Sequence, residues 1–290
     1  MEMATVDFSV LFPDDRQCGT TVLRQAQLVM LRMFKIIDYI CRKHKINYWM
    51  CSGTLLGAVR HKGFIPWDDD LDICMIREDY ERFVSIAVEE FPADMVLQTR
   101  ETDPNYHYLP LPCKVRDKKS FILSPGYEDA NCEKGLFIDI FPMDRYHIQP
   151  VPFMIERCIK AYNMFICKSL DAIYFKDDSF DKRVLAAFHP MFHTLVRQYL
   201  GFAKRLIDRN RCLGTQCKLG HGFDTIWRRY LDYKDIFPVI ELEFEGYKFF
   251  APNNPDIYLR TLYGDNYMTP PPVAKRLLSQ HAIQMKPILE

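Results

Sequence analysis

The chain has 290 residues, 48% hydrophobic and 26% charged, close to the average of folded domains and too apolar for a disordered one. Lys plus Arg and Asp plus Glu both number 38, which argues against a protein that grips nucleic acid through many phosphates. No apolar run reaches the roughly 18 residues that crossing a bilayer needs. The opening MEMATVD also lacks the basic and apolar blocks of a secretory signal, so a cytoplasmic protein is the expectation.

Residues 22–44 carry apolar side chains at helical spacing (Leu23, Ala26, Val29, Met30, Met33, Ile36, Ile37, Ile40) and end in a basic cluster suited to a helix C-terminus. Residues 47–51 read as a short strand, Ser52–Thr54 as a turn, and 55–60 as a short helix. A second strand is expected from Phe64 to Met75, followed by an amphipathic helix over 77–91. β-prone pieces recur at 95–99, 112–116 and 136–141. Residues 152–212 look helical throughout, with Lys and Arg in excess over Asp and Glu. The pattern over 241–251 predicts a hairpin turning at Glu245–Gly246, and 255–263 a helix. The expected organisation is a catalytic core over 1–150, a helical insertion over 151–235, and a C-terminal hairpin and helix over 236–290 that complete the site.

Ten cysteines (18, 41, 51, 74, 113, 132, 158, 167, 212 and 217) show no C-x-x-C pair, and free thiols are expected. The one metal-like group, Cys212, Cys217 and His221, fits no zinc spacing and lacks a fourth ligand.

The chemistry concentrates in the run from Gly63 to Ile73, GFIPWDDDLDI. In a strand, residues two apart share a face, so Asp68, Asp70 and Asp72 would line one side and Asp69 the other. Carboxylates so crowded, between apolar segments, repel unless a cation sits among them. Mg²⁺ (or Mn²⁺) is the natural candidate, being hard and willing to share its shell with phosphates. An acidic surface loop or a Ca²⁺ loop are the alternatives, although Leu71 falls where a Ca²⁺ loop needs glycine. Asp139, embedded in GLFIDIFPMD, needs a partner too: the same ion, a salt bridge or a backbone cap. Ahead of the acidic run, Ser52, Gly53 and Thr54 open a helix whose free N–H groups suit an anion, and Arg60 and Lys62 add positive charge.

The wording SGTLLGAVRHKGFIPWDDDLDI, with GLFIDIFPMD and FEGYKFFAPNNPDIYLRTLYGDNYMTPPP, resembles the LicD family, which includes bacterial phosphorylcholine transferases; the fukutin-related ribitol-phosphate transferases are more distant relatives. That resemblance implies an α+β nucleotidyltransferase-like fold: a small mixed sheet flanked by helices, plus a helical insertion. It implies that Gly53 and Thr54 belong to the substrate-phosphate turn, Asp70 and Asp72 to the metal pair, with Asp68 a further acidic member and Asp139 the third-strand carboxylate. Lys114 and Arg116 would touch phosphate, and the helix from Tyr258 would close over the nucleotide. The implied activity transfers an alcohol phosphate from a CDP-alcohol donor to a glycan or lipid-linked glycan hydroxyl, with peripheral contact at a membrane face and Asp68 as proton acceptor. Two other expectations stand beside it: a nucleotidylyltransferase releasing pyrophosphate, and a nucleotide-binding protein without catalysis.

Overall fold

The computed structural model describes residues 6–99, 101–103, 106, 113–124, 131–161, 184, 214–223, 225, 227–276 and 282–288. A short helix α1 (Phe8–Leu11) and a 3₁₀ turn lead into α2 (Val22–Lys43), capped by the Thr21 hydroxyl, which accepts from the Arg24 amide. One face of α2, from Ala26 through Met33 to Ile40, is fully buried. That burial, rather than helix propensity, holds a segment of this length in place. Next come β1 (Trp49–Met50), α3 (Ser52–His61), β2 (Asp72–Ile76) and α4 (Arg77–Glu90). Strands β3 (Met95–Gln98), β4 (Lys114–Asp117), β5 (Phe121–Leu123) and β6 (Phe137–Tyr146) follow, then helix α5 over 150–161. The C-terminal part holds β7 (Lys218–His221), β8 (Tyr230–Asp232), α6 (Tyr233–Ile236), β9 (Ile240–Phe244), β10 (Tyr247–Ala251), α7 (Pro255–Tyr263) and β11 (Gln284–Lys286).

The main sheet is mixed, in the order β1-β2-β6-β4-β3, and the ten-residue β6 is its spine. On one side β6 runs parallel to β2; on the other it pairs antiparallel with β4 near its start and with β7 near its end. β8 pairs with β7 in turn, while β9–β10 form the expected hairpin. A mixed sheet flanked by helices is the α+β, nucleotidyltransferase-like architecture expected of the sequence.

Three local readings need correction. The strand expected over 64–75 is regular only from Asp72 to Ile76; residues 64–71 form turns and irregular backbone. Pro66 and three successive aspartates explain this, since proline donates no ladder bond and aspartate competes for backbone amides. The short helix begins at Ser52, not Leu55, so the Ser-Gly-Thr turn is its first turn. Residues 218–232, assigned to a helical insertion, instead add two strands to the main sheet. Residues 162–183 and 185–213 of that block lie outside the described residues, as does Cys212.

Candidate active site

Strand register assembles the first half of the site. Asp72 of β2 stands opposite Asp139 of β6, and Asp139 stands opposite Lys114 of β4. Directly opposed residues share a face with Cβ atoms about 5 Å apart, so the three side chains form one row across three strands. Lys114 is ion-paired with Asp139, its ammonium also lying 3.5 Å from the centre of the Phe137 ring. Burial lowers the Lys114 pKa, and Asp139 works against that shift. The carboxyl of Asp72 is pushed well above the usual range, first by burial and then by the charge of Asp70, followed by Cys51, Asp139 and Asp68.

The second half comes from α3 and the loop before β2. The Thr54 hydroxyl accepts the Asp72 amide at 2.7 Å, so its structural work is to tie the first turn of α3 to the head of β2. Ser52 holds φ +46°, a left-handed conformation costing a non-glycine residue about 1 kcal/mol. Gly53 allows a close approach of the acids: a Cβ there would lie 2.7 Å from Asp68 Oδ2 and 4.0 Å from Asp70 Oδ1. The loop is held from outside. Gln27 of α2 donates to the Asp68 carbonyl at 3.0 Å, and Glu245 at the hairpin tip accepts the Phe64 amide at 3.1 Å while pairing with Arg24 at 2.6 Å.

These elements enclose a cavity of about 440 Å³ whose walls include Ser52, Gly53, Arg60, Asp68, Asp70 and Asp72. The rest of its lining is aromatic and polar, formed by Trp67 and by Tyr263, Asn266, Tyr267 and Thr269 at and beyond the end of α7. Burial, then Asp72, Asp68, Cys51 and Asp70, raises the Tyr263 pKa, keeping its hydroxyl protonated beside the carboxylates. A larger cavity of about 750 Å³, bordered by Phe8, Arg32, Tyr39 and Asp94, contains none of these acids. Chemistry rather than size therefore selects the smaller one.

The structure thus brings Ser52, Gly53, Arg60, Asp68, Asp70 and Asp72 to one cavity, with Asp139 and Lys114 beside Asp72. Asp69 is buried and is not among the residues lining the cavity. Three other expected residues stand apart. Lys62 is the exposed left-handed C-cap of α3 and does not line the cavity. Arg116 is buried, donating to Gln98 Oε1 and the Gly135 carbonyl. Tyr258 is 2% exposed and packs in the core near Cys74 and Cys51; Tyr263 is the α7 tyrosine that faces the acids. Five residues apart on a helix is roughly 140° around the axis, and a wheel drawn on Tyr258 and Leu259 as the apolar face would have separated the two. Trp67, Tyr263 and Tyr267 carry no sequence pattern that marks them as cavity-lining, because two segments far apart in the chain bring them together. His221 and Cys217 are both buried. Among the described residues no three His, Cys, Asp or Glu side chains form a group that could hold an ion as they stand.

The profile of the LicD/FKTN/FKRP nucleotidyltransferase domain matches residues 45–155, the stretch running from β1 into α5. Lipopolysaccharide cholinephosphotransferase LicD of Haemophilus influenzae is 32% identical over 257 residues, covering 86% of this chain and 92% of its own length. Ribitol 5-phosphate transferase FKRP of human and of mouse is 50% identical over 34 residues, 12% of this chain and 7% of its own. The long match reaches well past the acidic run, through strands and helices that only position it. The chain therefore belongs to the LicD family, transferases of phosphorus-containing groups built on a nucleotidyltransferase-like fold.

Proposed function

We propose that the enzyme moves an alcohol phosphate, phosphocholine-like, from a CDP-linked donor to a glycan hydroxyl and releases CMP. The observation that carries this reading is the cavity that Asp68, Asp70 and Asp72 share with the first turn of α3. The long relative is by name a cholinephosphotransferase acting on lipopolysaccharide and the short one a ribitol 5-phosphate transferase, so an alcohol phosphate is the common cargo.

The donor set suits a hard divalent cation. Oxygen-only ligands with an excess of negative charge surround a buried Asp72, and Lys114 is ion-paired with Asp139 beside it. Asp70, Asp72, Asp139 and Asp68 would hold Mg²⁺ or Mn²⁺ after turning inward from their present rotamers. The ion, when bound, supplies charge neutralisation for a diphosphate. The chain's own residues do the rest. Arg60 offers a guanidinium to phosphoryl oxygens, and the amides at the head of α3 add dipole. Asp68, partly exposed at the cavity wall, accepts the proton of the attacking hydroxyl. Trp67 and Tyr263 supply apolar surface to the cavity lining. A membrane-borne acceptor would be met by the exposed side of α5 that carries Val151, Met154 and Ile155.

The test is Asp70→Asn. Turnover of a CDP-alcohol is expected to fall at least about 100-fold while the melting temperature holds or rises, one repelling carboxylate being gone. Undiminished turnover would remove the metal assignment. CMP without pyrophosphate marks alcohol-phosphate transfer; a nucleotide-tagged acceptor with pyrophosphate marks a nucleotidylyltransferase. Binding of CDP-alcohols without any turnover by the wild type marks a catalytically silent nucleotide-binding protein.

A further inference from the structure

Arg60 lines the same cavity, and a second cation, Arg276, lies just outside it against two of its lining residues, Trp67 and Pro271. Arg60 Nη1 donates to the Tyr267 carbonyl at 2.8 Å, and its Nε donates to His61 Nε2 at 2.9 Å. From the C-terminal segment, Arg276 lays its guanidinium over the Trp67 ring, 4.6 Å from the centroid, steered by a bond from its Nε to the Pro271 carbonyl at 2.9 Å. The His61 ring meets Trp67 edge-on at 6.1 Å. Trp67 thus touches Arg276 and His61, and His61 in turn is bonded to Arg60.

Among the described residues, neither Arg60 nor Arg276 is ion-paired with a carboxylate. Each is nonetheless within electrostatic reach of the other. Burial and then Arg276 lower the Arg60 pKa, and burial, Arg60 and Arg276 lower that of His61, which leaves the imidazole neutral and able to accept from Arg60. Tyr263 and Asp68 act the other way on Arg60, but neither is ion-paired with it, so both guanidinium groups keep donors to offer an anion. Guanidinium forks match phosphate oxygens in pairs. A cationic ligand group, such as a quaternary ammonium on the Trp67 face, would meet two positive charges there.

We propose that Arg276 is a phosphate-binding residue, forming with Arg60 a two-guanidinium clamp on the diphosphate of the donor. The assignment rests on the reading of the donor as a nucleotide diphosphate derivative. It makes the stretch from Tyr267 to Arg276, outside the matched 45–155 domain, part of the donor site. The clamp holds the diphosphate while the acids lie in the same cavity as Arg60. Donor affinity, more than the rate of the chemical step, is what Arg276 sets.

The experiment is calorimetric titration of the full chain with inorganic pyrophosphate in metal-free buffer at low salt. It compares wild type, Arg276→Gln and Arg276→Lys, with circular dichroism confirming the fold of each. Wild type is expected to bind, Arg276→Gln to bind at least about tenfold more weakly, and Arg276→Lys to fall between, keeping the charge but losing the fork. In turnover, Arg276→Gln is expected to raise KM for the CDP-alcohol and leave kcat within about threefold. Pyrophosphate affinity unchanged by Arg276→Gln, or absent from the wild type, overturns the clamp. So does tryptophan emission that responds to choline chloride and not to pyrophosphate. Arg276-dependent pyrophosphate binding by a wild type that turns over no CDP-alcohol defeats the donor reading and leaves the clamp standing.

Discussion

At Gly53 the absence of a side chain has a measurable consequence. A methyl group there would press on the Asp68 carboxylate, the movable end of a side chain and not backbone. Gly53→Ala is therefore expected to fold, with a melting temperature within a few degrees of wild type, yet to lose about 10–100-fold in kcat/KM because the carboxylate proposed as proton acceptor is displaced by an ångström or so. Full activity in that variant would show that Asp68 need not sit where it does. Thr54 illustrates a different lesson. Its residue type was legible as part of a phosphate turn, but its hydroxyl is engaged by the Asp72 amide, a partner 18 residues away that no local pattern names. Among the acids the alternation of 68, 70 and 72 was legible, and Asp69 is buried at 1% exposure as the odd member of the set. The alternation holds even though only Asp72 is in a regular strand.

At the scale of elements, β6 and β7 show what strand pairing contributes. GLFIDIFPMD announced a strand by its apolar run, whereas KLGH at β7 is too short and too mixed to do so; it is a strand because the end of β6 offers an unpaired edge. That pairing buries His221, whose ring packs on Phe141 and Trp227 and whose Nδ1 has no hydrogen-bond partner among the described residues. Burial, then Lys160 and Arg229, holds its pKa down to about 3. The folded state thus refuses a proton that the unfolded chain accepts near pH 6.5, so stability is lost as pH falls from about 6.5 towards 3. The slope approaches 1 kcal/mol per pH unit in order of magnitude. His221→Phe, which keeps an aromatic ring and removes the titration, is expected to flatten the acid limb of the melting temperature measured from pH 7 to pH 4. An unchanged limb would place the acid sensitivity elsewhere.

The whole molecule is needed to hold the acidic loop in place. Arg24 of α2, Glu245 of the β9–β10 turn and the Phe64 amide meet in one cluster although they are more than 200 residues apart in sequence at the extremes. Glu245→Ala removes a partly buried ion pair and leaves the Phe64 amide without its acceptor, which is expected to cost about 1–3 kcal/mol. Faster hydrogen exchange at 64–71 than elsewhere in the variant would show that the loop is what loosens; uniform exchange would show a general loss of stability instead. Taken alone, the sequence determined the chemistry: aspartates at alternate positions between apolar flanks, glycine at the head of a helix, and a lone carboxylate in a β-prone run are constraints a single segment carries. It also determined the long helices, the hairpin and the family. Only the tertiary structure decided which partner each cation meets: Lys114 goes to Asp139, Arg116 to Gln98, Arg60 to the Tyr267 carbonyl and Arg276 to the Trp67 ring. The reason is physical. Periodicity fixes the face on which a side chain leaves its own strand or helix, but its partner is set by register and packing between segments that share no sequence neighbourhood.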